Sequence, residues 1–407
     1  MITKASIFER AEDLELRPTT VEKDYVLGWL LAGVAEHPDL SKWVFKGGTC
    51  LKKCFFETYR FSEDLDFTVP MEQRLTVESI KGNLAEATAW VTERSGIQFP
   101  SEKFKIERYL NPRGRESFQA RIPYACRLNL APNSLQRVKF DITQDELLGA
   151  PPEVRDVFHS FEDAPDPPAG VLCYTVDEIL AEKTRALFER QGRARDVYDL
   201  VHLSRDFRSE IEPERARQLL RAKFSFKELP PPSLESILGR IDHDQLRVNW
   251  DGQLAHQVPL LPPLQSFLED LRDAIAWWLE PARAEPQRQP VASKTGEEPI
   301  PRRRFPRIRE HVDSGAARRR PHAMQPLERL RFAARNRLCV EVEYRGVRRL
   351  IEPYSLRSRE LGAPLLYAYE RLREGRPSES IKSFAIDGLR VVSVTQQSFR
   401  PRYMVEL

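Results

Sequence analysis

The sequence predicts an α+β protein in folded parts joined by a linker, and three observations carry this. In the first 280 residues, short bulky or alternating segments that suit strands are interspersed with segments of helical period. From Pro281 to Met324 the composition shifts to Pro, Arg and small polar residues. Beyond that break, brief alternating segments about ten residues apart point to a small antiparallel β barrel.

Composition limits what the chain can be. At 407 residues it is long for one domain, so two or three are expected. A hydrophobic share of 41% beside 31% charged residues can fill real cores. No run approaches ~18 uninterrupted apolar residues, so no membrane span is expected. The N-terminal "MITKASIFERAEDLELRP" carries acids and lacks an apolar core of signal-peptide length, which points to a cytoplasmic protein. Cys50, Cys54, Cys126, Cys173 and Cys339 are scattered without a CxxC pair, supporting neither a disulfide framework nor a zinc site, and they read as reduced packing residues. The histidines show no metal-binding spacing.

The first chemical signal is "WVFKGGTCLKKCFFETYRFSEDLDFTV", Trp43 to Val69. Trp43 to Phe45 suits a buried strand, and Leu51, Cys54, Phe55 and Thr58 follow the period of a helix face. Gly47, Gly48 and Thr49 lie between them. Such a strand–turn–helix junction lets phosphates approach backbone N–H groups at a helix start, although a double glycine before a helix is more often only a turn.

In the next strand Leu65, Phe67 and Val69 alternate with Asp64, Asp66 and Thr68, so two carboxylates leave one face while the other is core. Like charges that close call for a cation, and oxygen ligands suit magnesium, although exposed aspartates on an edge strand show the same pattern. In "RVKFDIT" Val138, Phe140 and Ile142 alternate with Lys139 and Asp141, so a neighbouring strand can bring a third carboxylate. Three carboxylates can hold two ions, one activating an attacking hydroxyl and the other orienting a triphosphate. This is the recipe of nucleotidyl transfer.

Thr175 and Glu178 form a capping box that starts a helix. Lys183 sits in its apolar stripe between Ile179 and Leu187, either snorkelling or reaching a triphosphate. Asp196 either helps position the phosphates or the acceptor, or caps a helix with Arg193 or Arg195 nearby.

"VEKDYVLGWLL", "KGGTCLKK", "YRFSEDLDF" and "YTVDEILAEKTRALFERQGRARDVYDLVHL" together resemble the AbiEii/AbiGii (MenT-like) nucleotidyltransferase toxins of the DNA polymerase β superfamily, over roughly residues 5 to 280. Cys50 stands where the pattern expects a small residue. The resemblance implies a polymerase-β-type lobe with a mixed sheet and helices, then a mostly helical lobe. It implies NTP as substrate and Mg2+, with Asp64, Asp66 and Asp141 on metal. Lys46, Gly47, Gly48, Thr49, Arg60, Ser62 and Lys183 would hold the nucleotide, with Lys183 and Asp196 also catalytic. Transfer RNA or another nucleic acid and a cognate antitoxin are the implied partners, within toxin–antitoxin or phage-defence systems.

The segment 281–324 cannot bury enough apolar area to order itself, and reads as a flexible linker. Its triplets Arg302 to Arg304 and Arg318 to Arg320 suit either phosphate contact or plain solvation. Leu327, Leu330 and Ala334 then share one helix face, followed by "VEVEY", "RRLIEP", "PLLYAYE", "IKSFAI" and "LRVVSVT". This part resembles, more loosely, the WYL domain, an SH3- or Sm-like barrel that senses ligands or nucleic acid. On that pattern Arg349, Tyr367 and Arg390 are ligand candidates, with Tyr367 equally suited to barrel core.

The expected organisation is a catalytic lobe over 1–160, a helical lobe over 161–280, the linker over 281–324 and the β domain over 325–407. The expected function is Mg-dependent transfer of NMP from an NTP to an acceptor, foremost the tRNA 3′ end. The alternative is a nucleotide-sensing, nucleic-acid-binding regulator without transferase activity. A drug-modifying transferase would share the chemistry and differ in acceptor.

Overall fold

The computed structural model describes residues 2–110, 114–128, 135–280, 325–357 and 364–407. The chain forms two compact units, Met1–Glu280 and Pro281–Leu407. The expected linker over 281–324, with its Arg triplets, lies outside the described residues.

In the first unit, α1 (Lys4–Asp13) and α2 (Pro18–Glu36) precede the sheet. Helix α2 opens on Pro18, where a missing N–H costs nothing. It is apolar nearly all round, and Val26, Leu27, Trp29, Leu30 and Leu31 are all buried, which makes it a central helix with α4 (Val77–Ser95) and β7 (Gly170–Cys173) against it. The remaining strands are β1 (Val44–Lys46), β2 (Asp64–Thr68), β3 (Lys105–Leu110), β4 (Glu116–Tyr124), β5 (Gln136–Thr143) and β6 (Glu153–Asp156). They pair with β7 in the order β3-β4-β5-β2-β1-β7-β6. The sheet is mixed, since β2 is parallel to β5 and β1 to β7, while β1 and β2 are antiparallel.

Alternation places the core where the pattern predicts. Leu65, Phe67, Val138, Phe140 and Ile142 are buried, and Phe67 stacks on Phe140. The sheet runs past residue 160, because Phe45 of β1 pairs with Cys173 of β7, so the expected lobe boundary there does not coincide with the edge of the sheet.

The helix after the glycines is shorter than expected. Gly47–Cys50 forms α3, and Leu51–Phe55 continues as a π-turn closed by Phe56 N–H donating to the Leu51 carbonyl at 2.9 Å. A π-turn ends the ordinary helical ladder, which leaves Thr58 beyond the face it was expected to continue.

Helices α5 (Val176–Glu189), α6 (Ala194–Asp206), α7 (Pro213–Phe226), α8 (Leu234–Leu238), α9 (His243–Leu254) and α10 (Leu264–Leu279) complete the unit. Only half of the expected capping box on α5 forms. Thr175 accepts from Glu178 N–H at 3.4 Å, but the Glu178 carboxylate accepts from Gly149 and Ala150 N–H instead and pairs with Lys223 at 2.9 Å.

In the second unit, α11 (Gln325–Arg335) buries Leu330 and Ala334. The strands β8 (Leu338–Tyr344), β9 (Val347–Arg357), β10 (Leu365–Arg373), β11 (Arg376–Ala385) and β12 (Leu389–Ser398) follow. They form a separate antiparallel sheet in the order β11-β10-β9-β8-β12. Among the described residues no pairing joins β11 to β12. No described helix is long and apolar enough to cross a membrane.

Candidate active site

Parallel pairing of β2 and β5 sets Asp66 opposite Asp141 and Asp64 opposite Lys139. Residues i and i+2 share a face and neighbouring strands lie ~4.8 Å apart, so all four side chains leave the same patch, away from the core. Lys139 Nζ lies 2.7 Å from Asp141 and 3.5 Å from Asp64. Gln119, opposite Asp141 on β4, donates to Asp141 Oδ1 at 3.1 Å and fixes that carboxylate. Burial pushes the Asp66 carboxyl up to about 6, the charges of Asp141 and Asp64 add to this, and Lys46 and Lys183 oppose it. An oxygen-only donor set with surplus negative charge fits a hard divalent cation.

The two glycines are required by what lies against them. Gly47 has φ of 82°, and a Cβ there would sit 2.2 Å from Asp66 Oδ2. A Cβ on Gly48 would sit 2.6 Å from Arg60 Nη2 and 3.1 Å from Ser62 Oγ. The loop therefore lies directly on the carboxylate strand. Thr49 departs from expectation: it is buried, and its hydroxyl donates to the Asp64 carbonyl, so its side chain straps the loop to β2 instead of facing a phosphate.

Arg60 departs as well. Its guanidinium is buried, donating to both oxygens of Asp199 and, at 3.0 Å, to Gln257 Oε1, which leaves no face for a nucleotide. Asp199, which the sequence did not single out, also accepts from the Tyr59 hydroxyl at 2.7 Å and pairs with Lys183 at 2.6 Å. Lys183 further approaches Asp196 at 3.5 Å. Its place in an apolar stripe is thus explained by buried carboxylates on α6. Asp196 stands in the first turn of α6, caps nothing with its side chain, and meets Arg190 at 3.5 Å. From α2, Asp24 pairs with Lys53 at 2.8 Å in the core, tying the "EKDY" segment to the helical turn after the glycines.

A cleft of about 410 Å³ opens beside the carboxylates, with Lys46, Asp66, Tyr109, Asp141, Arg185 and Lys227 among its walls. Lys46 lies 3.5 Å from Glu182, and Lys227 lies 3.2 Å from Glu146. Arg185 pairs with Glu182 at 3.0 Å. Arg185 lies inside the quoted helical motif but was given no role there, and Lys227 and Tyr109 lie outside every quoted motif, because their approach to the cleft is set by tertiary packing.

The three candidates of the second unit do not converge. Tyr367 pairs with Ser355, while Arg349 is six residues along β9, roughly 20 Å away at ~3.3 Å per residue. Arg349 is opposite Val342, which is opposite Val391, whereas Arg390 is opposite Glu343. Opposed residues share a face and successive ones alternate, so Arg349 and Arg390 are on opposite faces. Arg349 is also engaged by buried Glu370. Tyr367 is only half-buried, so it is not barrel core either.

Over residues 29–280 the chain matches the family described as "Nucleotidyl transferase AbiEii toxin, Type IV TA system". No curated protein matches the chain.

Proposed function

The chain belongs to the AbiEii family of nucleotidyl transferase toxins, and from that premise we propose that it moves a nucleoside monophosphate from an NTP to an acceptor hydroxyl, foremost the 3′ end of a tRNA, using Mg2+. The observation that carries the site assignment is the register of Asp66 against Asp141, with Asp64 two residues along on the same face.

Asp64, Asp66 and Asp141 would hold the metal, which when bound activates the attacking hydroxyl and offsets charge on the triphosphate. Asp141, whose carboxylate Gln119 orients, would accept the acceptor's proton. Gly47 and Gly48 let the loop lie against Asp66, Arg60 and Ser62, and the triphosphate would follow that loop into the cleft that Lys46 lines. Lys183 and Asp196 act from the helical side, with Asp199 holding Lys183 in place. Arg60 and the Thr49 side chain support the loop instead of touching phosphate. The type IV toxin–antitoxin description of the family supports a cognate antitoxin as partner. The helix and antiparallel sheet of residues 325–407 support a WYL-like sensing domain, without a ligand site formed by Arg349, Tyr367 and Arg390 together.

The test is incubation of the protein and of Asp66→Ala with Mg2+, each labelled NTP in turn and bulk bacterial RNA. Label on tRNA-sized species with the native protein alone is the expected result. Label on protein would redirect the acceptor to a polypeptide hydroxyl. Equal label with Asp66→Ala would overturn the site.

A further inference from the structure

Three cysteines far apart in sequence meet in the core. The Sγ atoms of Cys50, Cys54 and Cys173 all lie within 4.8 Å of one another, and all three residues are buried. Cys50 and Cys54 come from consecutive helical turns after Gly47–Thr49, and Cys173 ends β7, whose parallel pairing with β1 brings it there. None of the three takes part in a disulfide.

We propose that this cluster is a binding site for a thiophilic d10 metal ion of the Cu(I) or Cd(II) class, separate from the carboxylate site. A three-coordinate ion with metal–sulfur bonds of about 2.3 Å needs its sulfurs about 4.0 Å apart. The observed spacing is within easy reach of that. Thiolate-only ligation selects soft ions and disfavours Mg2+, so the two sites draw on different metals. Binding replaces three S–H bonds with three metal–sulfur bonds and releases three protons to solvent, with no change of oxidation state. The resulting complex is anionic, and Lys53 and Arg155 lie near Cys54, their charge shared with Asp24 and Glu153. Because Cys50 directly follows Thr49, a bound ion would pin the start of the helical turn to β7 and rigidify the glycine loop.

The full chain, kept reduced with a phosphine and supplied with excess Mg2+ to fill carboxylate sites, is titrated with Cd(II) while the ultraviolet thiolate-to-metal charge-transfer band is recorded. A parallel arm uses Cu(I) against a competing chelator. One equivalent is expected to saturate the band, with the band lost in Cys50→Ala and Cys173→Ala. A Cys126→Ser/Cys339→Ser double variant, which leaves the cluster untouched, is expected to keep it in full. No saturable band with the native chain, a band that persists in both single variants, or one that vanishes in the double variant would overturn the site. The double variant decides the question even where a single variant folds poorly.

Discussion

Asp199 receives Arg60 through both oxygens, from Nε at 2.7 Å and Nη2 at 2.8 Å, in a core where neither side chain reaches solvent. The same carboxylate holds Lys183 at 2.6 Å. One residue of α6 thus ties the segment before β2 to the lysine of α5. A planar guanidinium meeting a carboxylate at two points fixes orientation as well as distance. The packing of Gly48 on Arg60 carries that rigidity to the loop.

Asp199→Asn should therefore destabilise the protein by about 3–5 kcal/mol, since removing one partner leaves buried cations uncompensated. Burial alone would raise the Asp199 pKa, but Arg60 and Lys183 hold it well below the usual carboxylate range. A depressed carboxylate contributes stability above its ordinary value, lost as pH falls below it. Denaturant unfolding should accordingly show a full gap between native and variant at pH 7, narrowing below about pH 4. An equal gap at all pH values would contradict the assignment.

Gly47→Ala should lower label transfer more than it lowers stability. The positive φ costs an alanine about 1–2 kcal/mol. The new methyl would also displace Asp66, and a misplacement of about 1 Å at a reacting centre costs about 10²-fold in rate. Steady-state transfer rates beside a melting curve separate the two effects. Wild-type activity in this variant would remove Asp66 from the chemistry.

His159 should contribute to acid sensitivity. Burial, helped by the charge of Lys53 and opposed by Asp24 and Asp163, pulls its pKa down to about 3 from an ordinary 6.5. Among the described residues neither ring nitrogen has a hydrogen-bond partner, and the ring packs against Tyr25, Trp29 and Phe161. Between pH 6.5 and 5 the unfolded chain binds a proton that the folded one refuses, which removes about 2 kcal/mol of stability. His159→Phe keeps a ring on Gly28 and should remove this loss, leaving the opposite contribution of Asp66, whose raised carboxyl favours the folded chain as pH falls through about 6. Parallel stability–pH curves for both proteins would refute this.

Much of the carboxylate strand was legible, because alternation between core and polar faces reports on one strand at a time and both β2 and β5 carry it. What escaped the sequence lies between elements. Asp199 and Arg185 stand inside the quoted helical motif without having been given a role, and Gln119 stands in none; what they do appears only where α6, β4 and α5 reach the same place. Arg60 was assigned to nucleotide by the family resemblance alone, while its actual partner lies 139 residues away. Cys50 and Cys173 appeared scattered for the same reason, since only the β1–β7 pairing joins them.

The first unit should fold and act without the second. The family match ends at residue 280, and so does the compact unit. Helix α10 closes that unit with Phe267, Leu271, Ile275 and Trp278 all buried. The Trp278 carbonyl accepts from Arg217 Nη1 at 2.7 Å, and Trp277 Nε1 donates to Ser204 Oγ at 2.8 Å. A chain ending at Glu280 keeps every one of these contacts. It should unfold in one cooperative transition and retain label transfer. A chain ending at Pro262 loses α10, and truncating even one buried aromatic costs about 3–5 kcal/mol against a total near 5–15 kcal/mol. That shorter chain should not fold. An inactive but folded chain ending at Glu280 would mean that residues beyond 280 are needed for transfer.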